Sequence, residues 1–393
     1  MGLRMQDGIQ SVLFVVSYDA YADAAKQVAA ALRDRVKAIR FLVMTQDGRP
    51  FFASTRLAAL ETLGELSYTD VDTVAEEASR IETDVLFLFF AGAVLERTIR
   101  SAHANQNSPP LCVSCFPGVV LYRQEAGFSQ RLTSDIILFN SRKNVLDYEA
   151  FCTRIGATCK NALLFGFPAL LDATPRTNCS TPPEKVAYID QKAVPACRPE
   201  RLKLARYLLL YAERFPQREL WVVCRDSDQN RSAHAGADPL DALLLEVAGG
   251  ALPRNIRVST APAGEILADT DLCIGIASTI LIHAISLHIP TVVLGDFGWE
   301  PYLGNLLFQG SGLECSFDSL LEDAPIALPS SAWLEANVTP VEARADLLME
   351  RLLQLSNSPA RQIINDAVAQ SRSKRPPPWR RRITALARAL GWR

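Results

Sequence analysis

No Gly-x-Gly-x-x-Gly follows the first strand-like run of this chain, which argues against a nicotinamide cofactor, and the lack of a Walker A loop argues against P-loop ATP chemistry. A Gly-x-Ser-x-Gly elbow and an HExxH helix are missing too, so the common hydrolase and zincin chemistries have no foothold. Long apolar runs are scarce. The strongest, Val85 to Leu95, is too short to span a bilayer and reads as a core strand entering a turn. The short run Ser11 to Val16 gives way at once to Ser17-Tyr18-Asp19, so no export signal is expected. Cysteine is present but unpatterned: nine residues, an odd count, scattered, as in a cytoplasmic protein with reduced thiols. Cys112-Val113-Ser114-Cys115 is the one CxxC. With no second pair and only His103 nearby, it reads as core thiols and no metal site is expected.

The 393 residues are 49% hydrophobic and 21% charged, which fits a soluble protein of about two domains. Net charge is −2, but residues 372–393 hold eight Lys or Arg and no acid, leaving about −10 for the rest. An acidic body argues against general nucleic-acid binding.

Strand-like and helical runs alternate in the first half. Strands are expected at Ser11–Ser17, Ala38–Met44, Asp84–Phe90, Leu111–Phe116, Asp135–Asn140 and Ala162–Phe165, with helices at Tyr21–Leu32, Ser54–Leu63, Val71–Ile81 and Arg142–Ile155. Residues 172–184 lose this periodicity and read as a linker. The alternation then restarts, with strands at Lys185–Asp190, Leu220–Cys224 and Ile256–Ser259, helices at Pro199–Arg214 and Leu240–Val247, and terminal helices at Val341–Leu355 and Ala360–Ser371. The expected architecture is α/β, two Rossmann-like domains facing across a cleft with C-terminal helices: residues 1–171, a linker at 172–184, residues 185–371, and a basic amphipathic tail at 372–393.

The most informative stretch is Leu272 to Gly295. Leu272–Ile276 reads as a buried strand, Ser278-Thr279 as a helix start, Pro290 as the stop, and Thr291–Leu294 as a second buried strand. A helix beginning with Ser-Thr beyond a strand end offers N–H groups, hydroxyls and the positive end of its dipole, which suits phosphate. The same residues cap helices without binding anything, and that alternative stays open here.

Ser17-Tyr18-Asp19-Ala20-Tyr21, Phe116-Pro117-Gly118-Val119-Val120-Leu121, Ser278-Thr279, Pro290 with its strand, Asp296-Phe297-Gly298, Asn305 and Gly310-Ser311-Gly312-Leu313 occur in an order that resembles an uncharacterised bacterial family of GT-B-type glycosyltransferases. The resemblance implies a nucleotide-sugar donor, uridine- or cytidine-linked, held by the second domain through Gln191, Lys192, Arg225, Ser278, Thr279 and His283. It also implies a glycan or glycolipid acceptor on the first-domain side near Pro117 and Gly118, no cofactor and no required metal. Asp19 is the expected general base for the acceptor hydroxyl, or else a helix cap. Two departures stand out: His283 occupies the place of a ribose-binding Glu, and His288 that of a Gly before the helix-ending Pro. A histidine at 283 is expected to titrate near neutral pH.

In the tail, Trp379, Ile383, Leu386 and Leu390 form an apolar stripe among arginines, as in a helix that binds an anionic membrane surface. A cytoplasmic enzyme of surface-polysaccharide synthesis, peripheral at the inner membrane, is the resulting expectation. A sugar-nucleotide epimerase of the same fold and a non-catalytic nucleotide-sugar-binding protein are the alternatives.

Overall fold

The computed structural model describes residues 8–105, 109–120, 124–170, 174–191, 194–224, 238–261, 263–339 and 344–356. The first half builds β1 (Ser11–Val16), β2 (Ala38–Gln46), β3 (Arg49–Pro50), β4 (Glu65–Asp70), β5 (Val85–Phe89), β6 (Leu111–Cys115), β7 (Ile136–Phe139) and β8 (Ala162–Leu164). The second builds β9 (Lys185–Ile189), β10 (Glu219–Val223), β11 (Ile256–Ser259), β12 (Leu272–Gly275), β13 (Thr291–Leu294) and β14 (Glu314–Cys315). These form two separate sheets, ordered β3-β2-β1-β5-β6-β7-β8, with β4 also on β2, and β11-β10-β9-β12-β13-β14. Every pairing is parallel except β2 with β3.

Parallel strands need crossover helices, which cover both faces, so the central strands are apolar throughout. Val12 to Val16 and Val85 to Phe89 have no exposed surface. Phe14 stacks on Phe87 with ring centroids 4.4 Å apart. The Asp19–Leu32 helix turns Ala22, Ala25, Ala29 and Leu32 inward, and its small residues let it lie close to the sheet. The Arg142–Ile155 helix carries both of its boundary signals: Ser141 Oγ accepts the Asn144 N–H, and Gly156 ends it at φ 70°.

The Arg344–Ser356 helix, grouped by sequence with the second half, crosses back to the first: Leu348 and Leu352 are buried in the core that contains Phe14 and Phe87. The stretch that reads as a linker is tied down from residue 176 onward. Arg176 N–H donates to Leu287 O, and the N–H groups of Ser180, Glu184 and Lys185 converge on the Asp271 carboxylate, holding its pKa below the ordinary value against the effect of burial. Several further elements were not legible as such, among them β4, the Ala93–Asn105 helix and the Gln124–Arg131 helix. No helix among the described residues is long and apolar enough to cross a membrane. The Ala360–Ser371 helix and the basic tail lie outside the described residues.

Candidate functional site

In the second sheet β9 and β12 are neighbours, yet the chain runs from β9 outward through β10 to β11 and from β12 outward through β13 to β14. The crevice beyond the carboxyl ends of two such strands is where ligands sit in open α/β sheets. Gln191 follows β9 and Ser278-Thr279 follow β12, so three of the expected donor-side residues meet at this switch point. The Gln191 side chain bridges it, its Oε1 accepting the Ala277 N–H at 3.1 Å. Ser278 is the N-cap of the Thr279–Ser286 helix, with Oγ accepting the Ile280 N–H at 3.2 Å. Ser278 already engages the first turn, since the Ile280 N–H goes to its Oγ and the Leu281 N–H to its carbonyl at 3.0 Å, so what this helix start offers an anion is chiefly the positive end of its dipole.

Thr279 reaches the other half of the chain. Its Oγ1 accepts the Val119 N–H at 3.0 Å, and a Cβ built on Gly118 would lie 2.8 Å from the same oxygen. Gly118 is therefore required by a close approach between the β6 loop and the helix start. Asn140, fully buried at the end of β7, fixes that loop by donating to Gly118 O at 2.7 Å. Pro117 and Gly118 thus belong to the seam between the halves.

Asp19 leaves β1, whose neighbours β2 and β5 diverge in the same way, and stands at the first position of its helix. The N-cap is Tyr18, and no side chain caps there, so the capping alternative for Asp19 is corrected. Arg56 holds Asp19 instead. Its Nη1 lies 3.3 Å from Asp19 Oδ1, while its Nε and Nη2 donate to the Asp23 carboxylate at 2.8 and 3.1 Å. The Asp19 side chain remains 42% exposed.

Expected titration of His283 near neutral pH is overturned. Its ring packs edge-on to Phe167 at 5.8 Å, its Nε2 is buried without a hydrogen-bond partner among the described residues, and burial depresses its pKa to about 4. The consequence is measurable. Unfolded, His283 takes up a proton below about 6.5; folded, only below about 4, so stability falls as pH drops through that window and is complete above it. We expect His283→Leu to flatten the acid limb of stability in urea titrations, with a difference approaching about 3 kcal/mol at the low-pH end. Equal slopes for variant and wild type would refute this. His288 sits at φ 60°, the left-handed conformation that glycine adopts without strain.

Two buried arginines that sequence reasoning passed over organise the strand ends. Arg201 has no exposed surface. Its Nη2 donates to both Asp190 oxygens at 3.2 and 3.0 Å, its Nη1 to the carbonyls of Gln191 and Pro195, and its Nε to Asp238 O at 2.7 Å. Burial pushes the Asp190 carboxyl up while Arg201 pulls it down, and pairing is what makes either charge tolerable there. Arg131 does the same in the first sheet, donating to Cys115 O, Phe90 O and Tyr21 Oη and lying 4.1 Å over the Phe116 ring. A signal existed for Arg201. It shares the inward face with Leu204, Ala205, Leu208 and Ala212, and a cation on a core-facing stripe must have a buried partner.

The motif residues of the Asp296 to Leu313 stretch act as loop ties. Asp296 accepts the Phe317 N–H, and Asn305, fully buried, donates to Gly298 O and accepts the Glu300 N–H. In the CxxC, Cys112 and Cys115 face different cores, three strand positions apart, so they cannot share a ligand; burial raises the Cys115 thiol to about 12. Lys192 and Arg225 lie outside the described residues. So does Asp226-Ser227-Asp228, an Asp-x-Asp that follows β10 in the sequence.

Two parallel sheets, with the loop after β6 of the first meeting the switch-point helix start of the second at Gly118 and Thr279, define the class: a two-domain α/β protein of the GT-B type. The family model described as "Putative glycosyltransferase (DUF6716)" matches residues 12–355, and the chain belongs to that family. No curated protein matches it in sequence. Among solved structures it is similar to UDP-GlcNAc 2-epimerase from Neisseria meningitidis bound to UDP-GlcNAc, with 11% identity, TM-score 0.58, and coverage of 88% of this chain and 100% of that one. The S. aureus MnaA–UDP co-structure matches at 8% identity and TM-score 0.59, over 89% of this chain and 97% of that one. Arabidopsis thaliana UGT89C1 complexed with UDP-L-rhamnose matches at 11% identity and TM-score 0.50, over 93% and 100%. Such distant likenesses establish the fold.

Proposed function

We propose that this protein is a nucleotide-sugar-dependent glycosyltransferase, with the donor at the β9/β12 switch point and the acceptor on the side of the β1 and β6 loops. The observation that carries the reading is the convergence of Gln191, Ala277, Ser278, Thr279 and Gly118 where the second sheet changes direction and the first sheet's loop meets it. Membership of the family over residues 12–355 supports the reaction class. In the proposed reaction an acceptor hydroxyl attacks the anomeric carbon, Asp19 takes its proton, and the bond to the nucleotide phosphate breaks. The positive end of the Thr279–Ser286 helix dipole, with Lys192 and Arg225, offsets the charge growing on the leaving phosphate, the place where preorganised dipoles contribute most to rate. These groups can do that work without a metal. The donor class is a uridine or cytidine sugar nucleotide, the acceptor class a bacterial surface glycan or glycolipid, and the basic 379–392 stretch is proposed to hold the enzyme at an anionic membrane.

The test is a thermal-shift screen of the full chain against uridine, cytidine and guanosine mono- and diphosphates. A nucleotide at 100 times its Kd stabilises the folded state by about 2.7 kcal/mol, several degrees for a protein of this size. We expect one base to stand out, and Arg225→Ala and Gln191→Ala to remove its shift. No shift with any nucleotide would sink the donor-site assignment and favour a scaffold role. The epimerase alternative separates by product: a transferase releases the nucleotide, whereas an epimerase returns the nucleotide sugar with one carbon inverted.

A further inference from the structure

At the amino ends of β6 and β7, the end of the first sheet away from the cleft, three side chains of metal-ligand type come together from separate elements. His103 comes from the last turn of the Ala93–Asn105 helix, Cys112 from the second position of β6, and Asp135 from the residue before β7. Their ligand atoms all lie within 4.8 Å of one another. The same imidazole nitrogen, His103 Nε2, faces both partners, at 3.6 Å from Cys112 Sγ and 3.8 Å from Asp135 Oδ2. A relay of the Cys-His-Asp kind would use the two ring nitrogens on opposite sides. Convergence of one nitrogen, one sulfur and one oxygen on a common point is the arrangement of a coordination shell.

The dimensions fit. With zinc–nitrogen and zinc–sulfur bonds of about 2.0 and about 2.3 Å, a tetrahedral centre holds these two atoms about 3.5 Å apart, close to the His103–Cys112 separation, while the His103–Asp135 separation of 3.8 Å is longer than such a shell needs and closes by a few tenths of an ångström on binding. We propose that His103, Cys112 and Asp135 bind a zinc-class divalent cation, with water as the fourth ligand. The charges close as well: one thiolate and one carboxylate balance the dication, and the imidazole binds neutral, so the interior gains no net charge. On binding, the Cys112 S–H bond breaks, the sulfur–metal bond forms and the proton leaves to solvent, with no change of oxidation state. A supporting shell is in place, since Asp135 Oδ2 accepts the Cys112 N–H at 2.7 Å and Asp135 N–H donates to Cys112 O at 2.8 Å. His103, 19% exposed against 8% for Asp135 and none for Cys112, is the side from which water and metal enter. A thiolate and an imidazole in one shell favour zinc over magnesium or calcium. The cation here ties a helix to two strands far from the reacting atoms, so its role is structural.

The experiment strips the full-length protein with a chelator, reloads it with zinc or cobalt, and removes excess metal. We expect about one zinc per chain by elemental analysis, a zinc-dependent rise in melting temperature that magnesium does not reproduce, and a thiolate-to-cobalt charge-transfer band. Asp135→Asn keeps an oxygen for the Cys112 N–H, and His103→Gln keeps the size of the ring; metal-free melts matching the wild type identify the folded variants. In those, bound zinc falls at least tenfold, and Cys112→Ser loses the cobalt band. Absence of uptake by the wild type overturns the proposal. So does equal uptake by the folded variants, which assigns the metal to other thiols such as the exposed Cys197. Neither result depends on nucleotide binding.

Discussion

Replacing Asp19 with Asn is expected to lower turnover by roughly 10² to 10⁴-fold while leaving nucleotide binding unchanged, the loss usual when a positioned general base is removed. The substitution keeps the shape of the side chain and its place at the helix start, so the change isolates proton acceptance from packing. Arg56 makes the prediction sharper. Its guanidinium is forked onto Asp23 and also touches Asp19, so it orients the carboxylate from the side of the helix while 42% of the Asp19 side chain stays open. Nucleotide release from the preferred donor is the rate to follow, beside the thermal shift as the binding control. If release is unaffected, Asp19 is a helix-start residue held by Arg56 and the base lies elsewhere. If binding is lost as well, the substitution has disturbed the loop and Asp19 has no separable chemical role.

Arg201→Leu is expected to destabilise the folded chain by about 3 to 5 kcal/mol, because it strands the Asp190 carboxylate in a site with almost no access to water. Burial already works against that charge, and the guanidinium both neutralises it and satisfies three backbone carbonyls. The midpoint of urea unfolding reads the effect. The double variant Asp190→Leu with Arg201→Leu is expected to recover part of the loss, since an apolar pair of similar volume removes the unpaired charge. A single variant as stable as the wild type would refute the pairing. The same contact has a functional consequence, because Arg201 Nη1 holds the Gln191 carbonyl and Gln191 holds the Ala277 N–H. Nucleotide-dependent stabilisation is therefore expected to weaken in whatever folded Arg201→Leu protein is obtained.

The strands were legible wherever both of their faces are buried. Continuous apolar runs such as Val12 to Val16 and Val85 to Phe89 have no other comfortable place than the middle of a parallel sheet. β4 was not legible: in Glu65–Asp70 only Thr69 is buried, and a strand paired only with β2 keeps polar residues and loses the pattern. The Ala93–Asn105 helix did carry a signal, Leu95, Ile99 and Ala102 at helical spacing, but it follows an apolar strand so closely that the two read as one run. Gly92, at φ 100°, makes the break between them.

At the candidate site, residues next to strand ends were readable because a parallel sheet puts all its carboxyl ends on one side. Ser278 and Thr279 were reached in this way, and Gln191 and Asp19 through the family resemblance, which places them at strand ends. Local sequence alone determined the alternation of strands and helices, the start and stop of the Thr279–Ser286 helix, and the residues that leave each strand. Those properties depend on neighbours a few positions apart, through periodicity, capping and backbone restriction. Only the tertiary structure decided that Thr279 meets Val119, that Arg201 serves Asp190, that the His283 ring packs against Phe167 with its Nε2 buried, and that His103, Cys112 and Asp135 face one point. Such contacts are set by strand order and by the packing of one half on the other, and nothing within a few residues of any partner specifies them.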